Sequence, residues 1–280
     1  VRWSGISTGT EKLFYDGTMP PFPGSGYPLV PGYESVATVS QAGADTAFVP
    51  GDRIFVPGAH CYRDVKALFG ATSSRVVVKA GRAIALPDGL ESDAVLVSLA
   101  ATAHHALALR GTQPPDLVIG HGALGRLIAR ICVALGHEAP VIWEKSPARR
   151  ESGEFDVIGG ETDPRRDYRS IIDASGDPEI LDTAIARLEP GGSITLAGFY
   201  NAPLTFAFAP AFMREASIRI AAEFNREDID AVLALVTARR LSLAGIITHE
   251  AAPADCGHAY ETAFREPACT KMVLDWRSSR

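Results

Sequence analysis

The 280-residue sequence lacks several things that would settle its class early, and each absence excludes something. It has four cysteines, Cys61, Cys132, Cys256 and Cys269, and no Cys-x-x-Cys pair. Structural zinc lobes draw their thiolates from close pairs, so that kind of site is excluded. A disulfide framework does not suit a chain of this size, and four reduced, mostly buried thiols in a reducing, cytoplasmic compartment are expected. There is no excess of basic residues either. The net charge is −6, and no basic run is interleaved with aromatics, which argues against general affinity for nucleic acid. No apolar run is long and clean enough to span a bilayer: Ala94–Leu109 contains Ser98, His104 and His105, and Ala202–Met213 contains Pro203 and Pro210. No signal peptide precedes Val1, no Met opens the chain, and a preceding N-terminal segment is expected. Internal repeats and low-complexity segments are absent too.

What is present is a soluble, globular composition, 46% hydrophobic and 21% charged, at a length that suggests two domains. The first hundred residues are broken by Pro and Gly, as in Pro20-Pro21-Phe22-Pro23-Gly24 and Pro31-Gly32. Between the breaks, Ser35–Ser40, Arg53–Val56 and Arg75–Val78 read as short strands of an antiparallel sheet or barrel, with Gly51-Asp52 as a turn. Near Pro114 the pattern changes to alternating strands and helices. Strands are expected at Asp116–Gly120, Val141–Trp143, Asp156–Ile158, Ser170–Ala174, Ser193–Ala197 and Ser217–Ala222. Helices are expected at Ala123–Leu135, Pro178–Leu188 and Arg226–Arg240, with connections shortened around Ser146–Gly153 and Glu161–Arg169. Such alternation gives an α/β fold with a doubly wound parallel sheet. The tail from Leu241 returns to the mixed style and is expected to rejoin the first domain, giving boundaries at 1–110, 111–240 and 241–280.

One motif carries chemistry. Leu117-Val118-Ile119-Gly120-His121-Gly122-Ala123-Leu124-Gly125 is a strand feeding Gly-x-Gly-x-x-Gly and then a helix. Gly120 suits a tight turn, Gly122 a close approach of pyrophosphate to backbone, and Gly125 close packing of helix on strand. The first amides of the helix, at Ala123 and Leu124, face the phosphates with partial positive charge. Nineteen residues after Gly125 stands Glu144, whose carboxylate can accept ribose hydroxyls and repel a 2′-phosphate. That favours NAD, while Lys145, Arg149 and Arg150 could neutralise such a phosphate and keep NADP open. Ser175, in Asp173-Ala174-Ser175-Gly176, ends a strand on the edge where open α/β sheets bind ligands.

At this point the chain resembles the medium-chain dehydrogenase/reductase superfamily. The likeness runs through Gly32-Tyr33-Glu34, Gly51-Asp52-Arg53, Thr102-Ala103-His104-His105-Ala106-Leu107 and Leu188-Glu189-Pro190-Gly191-Gly192-Ser193-Ile194. Longer strings resemble one branch, the 3-hydroxyethyl bacteriochlorophyllide dehydrogenases of bacteriochlorophyll biosynthesis: Ser4–Glu11, Gly32–Val36, Ala197–Tyr200, Phe212–Glu215 and Lys271–Trp276. The resemblance implies a GroES-like, mostly-β catalytic domain beside a Rossmann-type nucleotide domain. It implies oxidation of a 1-hydroxyethyl group on a chlorophyllide-type macrocycle to acetyl, with NAD as acceptor, and a homodimer. The zinc-dependent members bind metal through Cys, His and a second Cys or Asp. By position those ligands fall here on Ser7, Tyr33 and Ser98, all hydroxyls and poor zinc ligands, so no catalytic metal is expected.

Without a Lewis acid, side chains must take the hydroxyl proton and steady the developing oxyanion. Tyr33, Ser7, Thr8 and Ser98 are candidates to hydrogen-bond the oxygen, and Tyr33 or His104 to carry the proton. The family's hydroxyl corresponding to Thr102 sits beside the nicotinamide. Tyr33 and Ser98 have packing roles as alternatives, and Glu34 is either a proton acceptor or half of a structural ion pair. His104 and His105 are neighbours on a helix and are expected to point apart, with at most one toward a cleft. Phe14, Tyr15, Phe22 and Tyr27 are either walls for a flat substrate or anchors of their own loop. Two other functions remain open from the residues: a zinc-free quinone or enoyl reductase, and a dinucleotide-binding protein that has lost catalysis.

Overall fold

The computed structural model describes residues 1–21, 24–67, 69–150 and 153–278. Two compact units divide the chain: Val1–Ser98 with Leu243–Arg280, and Leu99–Ser242. The break at Ser98 falls earlier than the residue-110 boundary drawn from composition.

The first unit opens with β1 (Trp3–Ile6), α1 (Thr10–Tyr15), β2 (Leu29–Val30), β3 (Ser35–Thr38), β4 (Arg53–Val56), β5 (Lys66–Ala67) and β6 (Ile84–Ala85). Helix α2 (Val97–Ala108) leads into the second unit. There follow β7 (Leu117–Ile119), α3 (Ala123–Ala134), β8 (Val141–Trp143), β9 (Val157–Ile158), β10 (Tyr168–Asp173), α4 (Ile180–Ile185) and β11 (Leu188–Leu196). That unit ends with α5 (Phe208–Met213), β12 (Ser217–Ile220) and α6 (Arg226–Thr237). The chain then returns to the first unit with β13 (His249–Ala251), α7 (Cys256–Arg265) and β14 (Met272–Asp275).

In the first unit a six-stranded sheet runs β13-β14-β1-β3-β4-β6. Strand β14 pairs antiparallel with β1, from Trp3 opposite Asp275 to Ile6 opposite Met272, so the tail completes the sheet that the N-terminus begins. Trp3, Ile6, Val36, Phe55 and Val273 are buried in it. The Arg75–Val78 segment is not a strand. Its alternation is real, with Val76 and Val78 packed on the Ala37–Val56–Ala59 cluster and Val77 78% exposed, but no ladder forms beside it. Alternation reports which side chains are buried and says nothing about backbone partners.

The second unit is built on a six-stranded parallel sheet in the order β12-β11-β10-β7-β8-β9. Chain order reverses between β7 and β10, and in open α/β sheets the crevice beyond the strand ends at such a switch is where ligands sit. Helix α3 owes its place to the spacing of Leu127, Ile128 and Ile131, all fully buried on one face. Between β9 and β10 no helix forms. A buried polar network covers that part of the sheet instead. Asp163 accepts from Trp143 Nε1 and from the Tyr168 hydroxyl, both at 2.7 Å, and Arg187 donates to the Gly160 and Arg165 carbonyls. The connection after β8 holds a single 3-10 turn at Pro147–Arg149; its residues 151 and 152 lie outside the described chain. Among the described residues no helix is long and apolar enough to cross a membrane.

None of the four cysteines forms a disulfide; Cys132 and Cys269 are buried, Cys61 is half-buried and Cys256 is exposed. Phe14 is buried and receives the Tyr27 hydroxyl on its carbonyl, and Tyr15 packs on Phe264 at 5.2 Å. These aromatics anchor their own segment, while Phe22 lies outside the described residues.

Candidate active site and dinucleotide site

In the second unit the glycine loop has the conformation its chemistry requires. Gly120 turns through φ +98°, closed to most side chains, and its N–H donates to the Trp143 carbonyl at 2.8 Å. A Cβ on Gly125 would stand 1.8 Å from the Gly120 carbonyl oxygen, whereas one on Gly122 would meet nothing within 4 Å. Gly125 is therefore needed by the protein's own packing, and Gly122 leaves open space in front of the backbone. No side chain caps α3 at Gly122, which leaves the first amides of a twelve-residue helix to an anion. These features fit a dinucleotide pyrophosphate.

Glu144 is buried behind this loop. Its Oε2 accepts the His121 N–H at 3.0 Å and its Oε1 accepts the Ser146 N–H at 2.8 Å, so the acidic residue also organises the loop. His121 Nδ1 meets the Arg149 carbonyl at 2.6 Å, and burial pulls the imidazole below its usual range. Lys145, largely exposed, pairs with Asp177, and Arg150 donates to the Glu144 carbonyl and to Glu161. Across the switch point Ser175 packs so closely that a Cβ on Gly120 would lie 3.1 Å from it. Asp173, fully buried at the end of β10, holds that turn by accepting from Ser175 Oγ at 2.6 Å and from the Tyr200 hydroxyl. Burial raises the Asp173 carboxyl against both bonds.

Helix α2 corrects one expectation. His104 and His105 do not serve different directions: both rings meet Asp228, Nδ1 of His104 on Oδ1 at 2.7 Å and Nδ1 of His105 on Oδ2 at 2.9 Å. A step of one residue turns a helix by about 100°, but the two oxygens of one carboxylate are spread enough to receive both. Asp228 also closes the capping box of α6 with Asn225. Burial would raise its carboxyl, but the Asn225 amide and the two histidines outweigh that and hold it below the ordinary range.

In the first unit Ser7, Tyr33 and Ser98, expected from the resemblance to stand at metal-ligand positions, have different surroundings. Ser7 and Thr8 follow β1 in a half-buried turn. Tyr33 is half-buried and stacked on Phe69, with ring centroids 3.9 Å apart. Ser98 is buried at the start of α2 and donates to Glu34 Oε2 at 2.5 Å. Thr102 lies one turn further along α2, on the same face as Ser98. Glu34 also receives Lys271 Nζ on Oε1 at 2.8 Å, both side chains being buried, which makes the ion pair foreseen as one role for Glu34. Among the described residues no group of three His, Cys, Asp or Glu side chains is arranged to hold a metal ion.

Glu11 is the residue that sequence reading missed. It shares the buried face of α1 with Phe14, three residues on, and that spacing was the available signal. Neither of its carboxylate oxygens has a hydrogen bond of good geometry, nor does the nearby Tyr260 hydroxyl. Burial pushes its carboxyl up to about 8, with Glu34 adding to the rise and Lys271 opposing it. A raised carboxyl means that the folded state holds a proton the unfolded chain releases. Wild-type stability should therefore fall by about 1.4 kcal/mol per pH unit between its unfolded value near 4.5 and about 8 from this group alone. Glu11→Gln should remove that slope, so that in urea unfolding its advantage over wild type grows across this window and then levels off. Parallel stability curves for the two proteins would show that Glu11 is ionised in the fold.

A sheet ordered outward from its switch point, a Gly-x-Gly-x-x-Gly turn with an acidic residue behind it, and a second mixed-sheet unit completed by the tail define a medium-chain dehydrogenase. Solved structures share this fold. The 2R,3R-butanediol dehydrogenase of Bacillus subtilis superposes with a TM-score of 0.81 at 19% identity, covering 98% of this chain and 90% of that one. The alcohol dehydrogenase TADH of Thermus sp. ATN1 does so with a TM-score of 0.81 at 25% identity, covering 99% and 91%. An Escherichia coli CFT073 alcohol dehydrogenase (rspB) complexed with NADH gives 0.81 at 21% identity, covering 98% and 90%. No family model matches the chain. Curated proteins do, among them two named 2-desacetyl-2-hydroxyethyl bacteriochlorophyllide A dehydrogenase. The chain is 54% identical to that of Cereibacter sphaeroides and 51% identical to that of Rhodobacter capsulatus, covering 100% of this chain and 90% of each relative. The chain belongs to the 2-desacetyl-2-hydroxyethyl bacteriochlorophyllide A dehydrogenase family.

Proposed function

We propose that this protein oxidises the hydroxyethyl group of a bacteriochlorophyllide to an acetyl group, with NAD as acceptor and without catalytic zinc, in the cytoplasm. The observation that carries the substrate is the identity above 50% over the whole chain to two dehydrogenases named for it. The zinc-free reading is supported by Ser7, Tyr33 and Ser98 at the ligand positions, since neutral hydroxyls bind Zn²⁺ poorly beside thiolate and imidazole. Four cysteines that form no disulfide suit a reducing compartment.

The residues that would hold the dinucleotide are Gly120, Gly122, Gly125, the amides of Ala123 and Leu124, Glu144, Lys145 and Ser175. NAD over NADP is supported by the buried Glu144 carboxylate and by the engagement of Lys145 with Asp177 and of Arg150 with Glu161. When bound, the dinucleotide accepts the two electrons removed from the carbinol carbon. Ser7, Thr8, Tyr33, Ser98 and Thr102 are the hydroxyls offered to the substrate oxygen. His104, oriented through Nδ1 by Asp228, is the imidazole held nearest them in sequence.

Absorbance spectroscopy tests this. With 3-hydroxyethyl bacteriochlorophyllide and NAD the purified protein should shift the macrocycle's long-wavelength band, at least about tenfold faster than with NADP, a difference of about 1.4 kcal/mol. Prior chelation should leave the rate unchanged. No shift with either cofactor would remove the substrate, faster NADP turnover would remove the cofactor preference, and loss on chelation with recovery on adding Zn²⁺ would remove the zinc-free reading.

The protein is also proposed to be a homodimer through the β12 edge. Among the described residues that strand has no neighbour on one side, and Ile220 at its end and Phe208, Phe212 and Met213 on the preceding helix α5 are 76%, 72%, 65% and 73% exposed. Apolar side chains clustered at an open sheet edge invite a second copy by two-fold pairing. Sedimentation should show a dimer that Ile220→Lys converts to monomer; a monomeric wild type would refute the interface.

A further inference from the structure

In the first unit a buried cluster has more carboxyl groups than it has cations to balance them. Ser98 and Lys271 divide the Glu34 carboxylate between them, at 2.5 and 2.8 Å, and all three side chains are at most 5% exposed. Glu11 is buried within electrostatic reach of both Glu34 and Lys271. The floor of the cluster is β1, where a Cβ on Gly5 would stand 2.3 Å from Glu34 Oε1 and 2.8 Å from Lys271 Nζ, so there is no space for an added group. The groups facing Glu11 are Lys271 just before β14, Glu34 just before β3, Tyr260 on α7 and the Ser7 backbone after β1. Two carboxyls thus share one ammonium. A second uncompensated charge away from water costs several kcal/mol, so one carboxyl carries a proton. Glu34 has the ion pair and the hydroxyl donor; Glu11, whose oxygens lack good partners, is left to be the acid.

We propose that Glu34 accepts the proton that leaves the substrate hydroxyl, received through the Ser98 hydroxyl, that Lys271 holds Glu34 in place for that role, and that Glu11, as the neutral acid, leaves the Lys271 ammonium to Glu34. This rests on the alcohol-oxidising reading above and adds the destination of the proton. The carbinol C–H bond breaks, its electron pair and hydrogen going to the oxidised nicotinamide dinucleotide. The substrate O–H bond breaks as Ser98 Oγ takes that proton, and Ser98's own proton passes to Glu34 Oε2. The C–O bond becomes C=O, and Glu34 ends as the neutral acid. A serine by itself has no accessible conjugate base near neutral pH, so a hydroxyl in the metal's place needs a carboxylate behind it. Ser98 is such a hydroxyl, donating to Glu34 Oε2 at 2.5 Å. Glu34 acts through Ser98 and is in that sense a positioning and relay residue.

The test compares wild type with E34Q, S98A, S98T and E34Q/S98A, using the bacteriochlorophyllide and NAD. E34Q should lower kcat by about a hundredfold or more, the usual scale of proton-transfer catalysis, with KM changed by less than about threefold. Wild-type kcat is expected to fall toward acid pH as the acceptor becomes protonated, and E34Q should lose that fall. S98A should behave similarly and S98T, which keeps a hydroxyl, should recover most of the rate. Groups acting in series are non-additive, so the double variant should be no slower than the slower single. Two readouts do not depend on turnover. Dinucleotide binding by fluorescence should be unchanged in all variants, and infrared titration should show a protonated carboxyl band persisting toward pH 8 and absent in E11Q. If E34Q does not fold, the S98A and S98T pair decides. Wild-type kcat and pH profile in E34Q, or losses that multiply in the double variant, would overturn the relay alone. Failure of wild type to turn over would overturn the activity and the relay with it. Absence of the infrared band would overturn the role given to Glu11.

Discussion

Alanine at position 125 is expected to abolish measurable dinucleotide binding and to cost about 3 kcal/mol of stability, the upper end of ordinary overpacking. The added methyl would sit 1.8 Å from the Gly120 carbonyl oxygen and 2.9 Å from its carbon. Both are backbone atoms of the turn into which β7 runs, so the clash cannot be relieved by a side-chain rotation. The turn must move, and with it the His121 amide that Glu144 holds. Alanine at position 122 provides the contrast. Its methyl meets no protein atom within 4 Å and its backbone φ of −75° suits any residue. Stability should therefore change by only about 0.5 kcal/mol. The methyl would occupy the space proposed above for the pyrophosphate, and affinity should fall by at least about tenfold, or 1.4 kcal/mol. Urea unfolding and fluorescence titration with NADH separate the two effects. An unchanged dissociation constant in Gly125→Ala would mean that the glycine loop is not where the dinucleotide binds.

The second large effect is expected at Asp228. Its substitution by alanine removes the acceptor of the Asn225 N–H in the capping box on α6, leaving the Asn225 side-chain cap, and removes the shared acceptor of His104 and His105. Three hydrogen bonds to the carboxylate are lost at about 1 kcal/mol each, so the total is about 3 kcal/mol near neutral pH. The pH dependence has a definite sign. The Asp228 carboxyl is held below its ordinary value of 3.8, so the folded state binds its proton less readily than the unfolded chain does. Its contribution is present in full above that value and is lost as pH falls through the depressed one. The gap between wild type and Asp228→Ala in urea unfolding should therefore close on acidification into that range. A gap independent of pH would mean that the carboxylate charge contributes nothing. Because a carboxylate only accepts, both histidines must present Nδ1–H to it, which fixes the His104 tautomer for any proton-handling role.

Much of this molecule was legible in the sequence because the signals were local. Strand, turn and helix at Leu117–Gly125 follow from consecutive residues, and the alternation of strands and helices after Pro114 required a parallel sheet covered by helices. The Lys271–Trp276 segment read as rejoining the first domain, and β14 does pair with β1. The failures share one cause. Val76 and Val78 alternate with an exposed Val77 as a strand would, yet whether a ladder forms depends on a neighbour that the local pattern does not name. His104 and His105 diverge on their own helix, and only the placement of Asp228, more than a hundred residues away, brings them to one carboxylate.

By itself, the sequence determined the change from a mixed to an alternating strand–helix pattern, the Gly-x-Gly-x-x-Gly turn between a strand and a helix, the likeness to the medium-chain dehydrogenases and the hydroxyl-bearing residues at positions 7, 33 and 98. Each of these is written in residue identity or in short spacing. Only the tertiary structure decided that Glu34 lies between Ser98 and Lys271, that Glu11 is buried without a good partner, and that one aspartate serves two histidines. The physical reason is that the charge state and partners of a buried group depend on what surrounds it in space. Lys271 is separated from Glu34 by 237 residues along the chain and by 2.8 Å through the fold.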